Sequence, residues 1–199
     1  MGDMIQKDVI KPSQWSGGFY ELSIEYSPVG DDKKINTALA AVSNSKIIAV
    51  PISHRVKIEG NSVNQWYGDI HILDGKVLPC MVTVTRIDDE SDWLDISIPQ
   101  FAFEQVYCYR YPLTNELNPW LVEVNATFTT LAESIFKESP FELAMIGEEI
   151  TGHTNHTVVT RDIIESDSAI FIVPIHLQTK IKPLTRGIEL LNGLQLYGE

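Results

Sequence analysis

The sequence predicts an α+β fold, a mixed or antiparallel sheet carrying two main helices. Three observations predict it: many short segments carry strand patterns, only two stretches repeat at helical spacing, and the chain shows neither a strict strand-helix alternation nor the even spacing of an all-β protein. Of its 199 residues, 44% are apolar, enough for one globular domain over 1–199 to bury a core without a disulfide or a structural metal. No Pro/Gly/Ser-rich linker divides it.

Phe19 to Tyr26 sets Tyr20, Leu22, Ile24 and Tyr26 against Phe19, Glu21, Ser23 and Glu25, the alternation of a half-buried strand. After the turn Pro28 to Gly30, Asp31 or Asp32 can cap a helix whose Ile35, Ala38, Leu39 and Val42 recur at three and four residues, ending near Asn44. Lys46 to Ile52 reads as a strand. Trp66 to Leu73 and Lys76 to Ile87 flank Asp74-Gly75, a dipeptide suited to a type I′ hairpin turn, and Pro79 moves the second strand toward a sheet edge.

Asp92 to Ile98 and the aromatic stretch Phe101 to Tyr109 read as extended, followed by a loop from Arg110 to Asn118. The strongest helix follows. Asn118 caps it, Pro119 suits its first position, and Trp120, Leu121, Val124, Phe128, Leu131, Ile135 and Phe136 form one face until Pro140 stops it. Phe141 to Glu149, Thr157 to Ile164 and Ala169 to His176 are the remaining strand candidates, Pro174 favouring an edge or a strand end for the last. Leu184 to Tyr197 fits strand or short helix equally. Helix then strand at 31–51 and again at 118–149 permits two pseudo-repeated halves.

Charge is the sharpest compositional signal. Lys and Arg number 15 against 27 Asp and Glu, a net charge of −12, whose field repels phosphate backbones and anionic lipid, so neither nucleic acid nor a membrane is the expected partner. Residues 88–149 hold thirteen of the acids and only two bases, Arg110 and Lys137. If folding places them together, Asp88, Asp89, Glu90, Asp92, Asp95, Glu104, Glu116, Glu142, Glu148 and Glu149, with Trp93 as an aromatic anchor, form one acidic surface offered to a basic protein. Trp93 also suits a core position, as Trp120 does on its helix face.

No motif for catalysis stands out. Gly-x-Gly-x-x-Gly, the phosphate-binding loop and Gly-x-Ser-x-Gly are all missing, and no cofactor is implied. Cys80 and Cys108 read as buried, reduced thiols rather than a disulfide. Glu148, Glu149, His153 and His156, with His176 as a distant third imidazole, allow an alternative reading as a metal-assisted hydrolase, although the stretch has the composition of a turn and lacks the helical His spacing of a zinc site. His54 and His71 read as structural. A structural or assembly subunit is a third reading. The first residues lack the apolar stretch of a secretory signal and no apolar run nears the ~18 residues of a membrane span, so a cytoplasmic protein is expected. Oligomeric state stays open.

From Asn118 to Val124 and from Ser139 to Gly152, with the apolar helix, the Pro140-Phe141 step and the Ile146-Gly147-Glu148-Glu149 end, the sequence resembles bacterial immunity proteins that protect against polymorphic secreted toxins. The resemblance covers residues 118–152 only. It implies a non-enzymatic cytoplasmic inhibitor that binds a cognate toxin, often a nuclease, and a basic toxin of that kind would meet the acidic surface argued from charge.

Overall fold

The computed structural model describes residues 15–52, 60–181 and 187–198. Among them nine strands form one sheet: β1 (Phe19–Tyr26), β2 (Ile48–Ala49), β3 (Ser62–His71), β4 (Val77–Arg86), β5 (Asp92–Pro99), β6 (Leu143–Glu148), β7 (Ile170–Pro174), β8 (Ile188–Glu189) and β9 (Leu194–Tyr197). Their order is β2-β3-β4-β5-β1-β6-β7-β9-β8, and every pairing is antiparallel. The helices are α1 (Asp32–Asn44), α2 (Gln100–Val106), α3 (Leu121–Glu138), α4 (Arg161–Ser166) and α5 (Ile175–Ile181). The fold is α+β. No helix among the described residues is long and apolar enough to cross a membrane.

β1 is central, and alternation along it sends successive side chains to opposite faces. Tyr20, Leu22, Ile24 and Tyr26 join Ile35, Leu39 and Val42 of α1 and Val124, Phe128, Leu131 and Ile135 of α3 in the main core. The back face holds a second core, in which Trp93, Leu143, Met145, Phe171 and Val173 meet Ile150, Val159, Ile164, Leu177 and Ile181. The chain between β6 and β7 therefore folds over the back of β1. That cover corrects the expectation of a half-buried strand: Glu21, Ser23 and Glu25 are buried as deeply as the apolar positions beside them.

Asp31 caps α1, its side chain accepting from Lys34 N at 3.0 Å. At α3 the cap shifts. The helix begins at Leu121, and Asn118, fully buried, accepts from Arg110 N at 2.8 Å and donates to Arg110 O at 2.7 Å, so it closes the preceding loop instead. The stretch Phe101 to Tyr109, read as extended, contains α2. Its alternating aromatics mimic a strand, but burial follows Gln100, Ala102 and Phe103 on one helical side. Thr157 to Ile164, also read as a strand, is a turn leading into α4, whose cap Thr160 accepts from Ile163 N at 3.3 Å.

Asp74-Gly75 does turn the β3-β4 hairpin, through a different geometry. Gly75 N donates to Ile72 O at 2.9 Å and only Gly75 of the pair has positive φ, at 86°, so a four-residue turn ends in a left-handed glycine and the type I′ form is not used. Pro79 does not place β4 at an edge. β4 lies between β3 and β5, and its ladder to β5 begins only at Met81, past the missing N–H. Pro174 does end a strand, β7. The segment 46–52 contributes only the two residues of β2 to the sheet, and the C-terminal segment gives two short strands joined by one 3₁₀ turn. The helix-strand pairs at 31–51 and 118–149 occupy unlike places, since β2 is at the sheet's edge and β6 is beside its centre. His54 and part of Leu184 to Tyr197 lie outside the described residues.

Candidate functional site

The residues singled out by charge separate along the strands. Glu142 N donates to Glu25 O near one end of β1, and Glu149 N donates to Phe19 O at the other. Those anchors are six residue steps apart along β1, about 20 Å at 3.3 Å per residue, well beyond a screening length of about 8 Å. Asp88, Asp89 and Glu90, in the β4-β5 turn, lie at the Glu142 end, because Asp92 pairs in register with Tyr26. Glu104, on α2 just after Pro99, lies at the Glu149 end with Glu148, whose carboxylate accepts from Gln100 Nε2 at 2.6 Å. Glu116 belongs to the loop whose Pro112 to Asn115 share a cleft with Glu148. The single acidic face expected from the sequence is thus corrected to two acidic ends.

Three of the expected contact residues are interior. Asp92 is fully buried, receiving Arg86 Nε at 2.7 Å and Nη2 at 2.8 Å as well as Gly30 N at 3.0 Å, while Arg86 Nη1 also reaches Asp32 at 2.8 Å. Its charge is neutralised inside the protein. Asp95 is 4% exposed and Trp93 6% exposed, both facing the back of the sheet. Glu142 is half-buried, 2.9 Å from His176 Nε2 and 3.6 Å from Lys34 Nζ. Glu149 is exposed, but its Oε1 accepts from Phe19 N at 2.8 Å.

The proposed metal-ligand group is dispersed in the same way. His153 Nε2 lies 2.6 Å from Asp167, and His156 Nδ1 lies 2.7 Å from Glu25. Glu148 and Glu149 turn to Gln100 and Phe19, and among the described residues no three His, Cys, Asp or Glu side chains are grouped to hold a metal ion. Cys80 is buried, its thiol pushed up by burial, whereas Cys108 is exposed, which corrects the expectation for that residue. Trp120 is half-buried rather than enclosed and stacks on Tyr107 with ring centres 4.4 Å apart. His71 is exposed on β3.

Among the described residues, two clefts are large enough to seat a ligand and lie beside residues named above. The larger, about 770 Å³, lies at the Glu148 end between the 112–115 loop and the 164–169 segment, with His153 and Asp167 on its wall. An imidazole held by a carboxylate can move protons, but no hydroxyl or thiol among the described residues hydrogen-bonds to it. The smaller cleft, about 610 Å³, lies at the opposite end and joins several residues singled out by sequence. Asp89, Glu90 and Ser91 form one wall, Gly152, Asn155, His156 and Thr157 the other, and Trp93, Pro28 and Val29 also line it. Asp89 sits at φ 65°, a left-handed position that Asp tolerates better than most residues and that turns the acidic strip outward.

Beneath this cleft stands Glu25. Its carboxylate accepts from Ser91 Oγ at 2.6 Å and from His156 N at 2.7 Å, so one fully buried side chain of β1 fastens both walls. Four residues along, Glu21 accepts from Thr151 N at 2.9 Å and from Ser97 Oγ at 3.0 Å. Between them Asp95 contacts Ser23 Oγ at 2.6 Å. Burial, with a smaller contribution from Glu21, pushes the Asp95 carboxyl up to about 7, against the opposing hydrogen bonds from Ser23 and Thr151. Sequence reasoning missed these supports. The acids at alternate positions of an otherwise apolar β1 were the available signal, but nothing local marked Thr151 or His156 as their partners.

Searches of family models, curated proteins and solved structures give no match to this chain. The site therefore has to be read from its own chemistry.

Proposed function

We propose that the protein is a non-enzymatic binding protein of the immunity type, which inhibits a basic toxin, of nuclease class, by seating a cationic segment of it in the cleft between Asp88–Ser91 and Gly152–Thr157. One observation carries the reading: Asp89, Glu90 and Trp93, residues that the sequence marks for charge and anchoring, line the same cleft, and among the described residues no Lys or Arg lines it. An ammonium or guanidinium group finds there carboxylates at the rim, an arrangement that favours cations over neutral groups, above a wall in which Trp93 is almost wholly buried. Exposed ion pairs supply only about 0–1 kcal/mol each, so Asp89 and Glu90 act chiefly on the rate of encounter, while Pro28 and Val29 offer the apolar contact that slows release.

The test is co-expression with the product of the reading frame immediately upstream, followed by stopped-flow association at several salt concentrations. The reading expects a one-to-one complex whose association slows as salt rises. Asp89→Asn combined with Glu90→Gln, which removes both charges and keeps at position 89 a residue that tolerates the left-handed backbone, should slow association at low salt by about threefold or more and leave the melting temperature unchanged. Association indifferent both to salt and to the double substitution rejects the cleft as the contact surface.

A further inference from the structure

Thr151 Oγ1 lies 2.8 Å from Glu21 Oε1 and 2.9 Å from Asp95 Oδ1. A hydroxyl has one proton to donate. Because Glu21 Oε1 already accepts from Thr151 N at 2.9 Å, the arrangement that satisfies every atom is a relay: Asp95 carries a proton and donates it to Thr151 Oγ1, which donates its own to Glu21. With both carboxyl groups ionised, one of the two short contacts becomes oxygen facing oxygen, with no hydrogen between.

We propose that Asp95 holds a proton which it donates to the Thr151 hydroxyl while that hydroxyl donates to Glu21, and that release of this proton to water loosens the segment from Ile150 to Thr157 from the back of the sheet. Among the described residues no free cation faces the second negative charge, and the Ser23 hydroxyl, donating to Asp95 Oδ1 at 2.6 Å, is the neutral group that favours the ionised form. β1 presents Glu21 and Glu25 on this face, and Glu25 is engaged with His156 and Ser91. β4 presents Thr83, the register partner of Asp95, whose buried hydroxyl has no hydrogen-bond partner among the described residues. β5 adds Trp93 and Ser97, β6 adds Met145 and Gly147, and the covering segment adds His156 as the cationic candidate, already committed to Glu25. Burial holds the Asp95 carboxyl at about 7, which puts the release near neutral pH.

Ile150 and His153 line the larger cleft, while Gly152, Asn155, His156 and Thr157 line the smaller one. A proton stored under Thr151 therefore sets the wall of both. Its consequence for partner capture rests on the binding reading above; the lock itself does not, and it is tested on the free protein.

Amide hydrogen exchange of Thr151 to Thr157, corrected for intrinsic rates, is followed from about pH 5 to about pH 9, alongside ¹³C NMR titration of the side-chain carboxyl groups. Exchange should rise by about tenfold or more as the Asp95 carboxyl titrates. Asp95→Asn, neutral at every pH, should flatten the rise, and Glu21→Gln should move its midpoint to lower pH because a like charge has been removed. His156→Asn should leave the midpoint in place. Flat exchange in the wild-type protein, a rise that survives Asp95→Asn, a midpoint unmoved by Glu21→Gln, or a rise abolished by His156→Asn each overturns the lock. If Asp95→Asn folds poorly, the Glu21→Gln and His156→Asn profiles still decide. Loss of toxin binding bears on the cleft alone, so the two readings fail separately.

Discussion

Tyr20, Leu22, Ile24 and Tyr26 point from β1 into side chains of α1 and α3, whereas Glu21, Ser23 and Glu25, one position away on the same strand, point into a cover made largely of loop and short helix. The first face is held by area removed from water, which is non-directional and tolerates reshaping. The second is held by hydrogen bonds to buried polar groups, each of which depends on one named partner. Within the apolar core of the back face, the polar side of β1 is thus the adjustable part, and the segment it holds carries one wall of each cleft.

The largest effect should come from the apolar face. Phe128→Ala removes a fully buried ring that stacks on Tyr20 with centres 6.3 Å apart, and urea unfolding should show a loss of about 3–5 kcal/mol. A loss below about 1 kcal/mol would show that α3 contributes little to the core. At the edge of that face, Arg86→Ala leaves Asp92 buried without its ionic partner. It should destabilise by about 3–5 kcal/mol, provided both groups are as enclosed as they are here.

The polar face should respond to pH in the opposite sense from an ordinary salt bridge. The Asp95 carboxyl is raised to about 7 when folded, against about 3.9 for an unfolded aspartate, so the native chain binds more protons between those values. The contribution of this group to stability is then greatest below about pH 4, falls as pH rises to about 7, and levels off above. Asp95→Asn should remove that contribution and be more stable than the wild-type protein at about pH 8, by about 2–4 kcal/mol in urea titrations. A stability difference between wild type and Asp95→Asn that does not move in favour of the variant between about pH 4 and about pH 7 would contradict the assignment. The smallest stability effect should come from Asp89→Asn with Glu90→Gln, within about 0.5 kcal/mol, since both groups are exposed turn residues and Asn tolerates the left-handed backbone at position 89.

Local patterns located the framework well. The alternation in 19–26, the helical spacing in 31–44 and 118–139, and the Asp-Gly turn all mark real elements, because each depends on residues adjacent or one turn apart. The errors arose where two local patterns coincide. Alternating aromatics in 101–109 suit a strand, yet Ala102 and Phe103 meet the core from a helix, and only the packing distinguishes them. The candidate site was partly legible: Asp89, Glu90 and Trp93 do share a cleft, but Asp92 was counted as surface charge although Arg86, six residues earlier, neutralises it.

By itself the sequence determined the α+β class, the main helices, the placement of acids along the chain and the polar side of β1. The tertiary structure alone decided that this polar side is covered, that the acids divide between two ends, and that Glu21, Asp95 and Glu25 meet Thr151 and His156. Periodicity is a property of neighbouring residues, whereas Ser23 and Asp95 are 72 positions apart and Glu21 and Thr151 are 130 apart, so their meeting depends on which strand lies beside which. Charge counted along a chain becomes a field only after folding fixes the distances between charges and the depth at which each is buried.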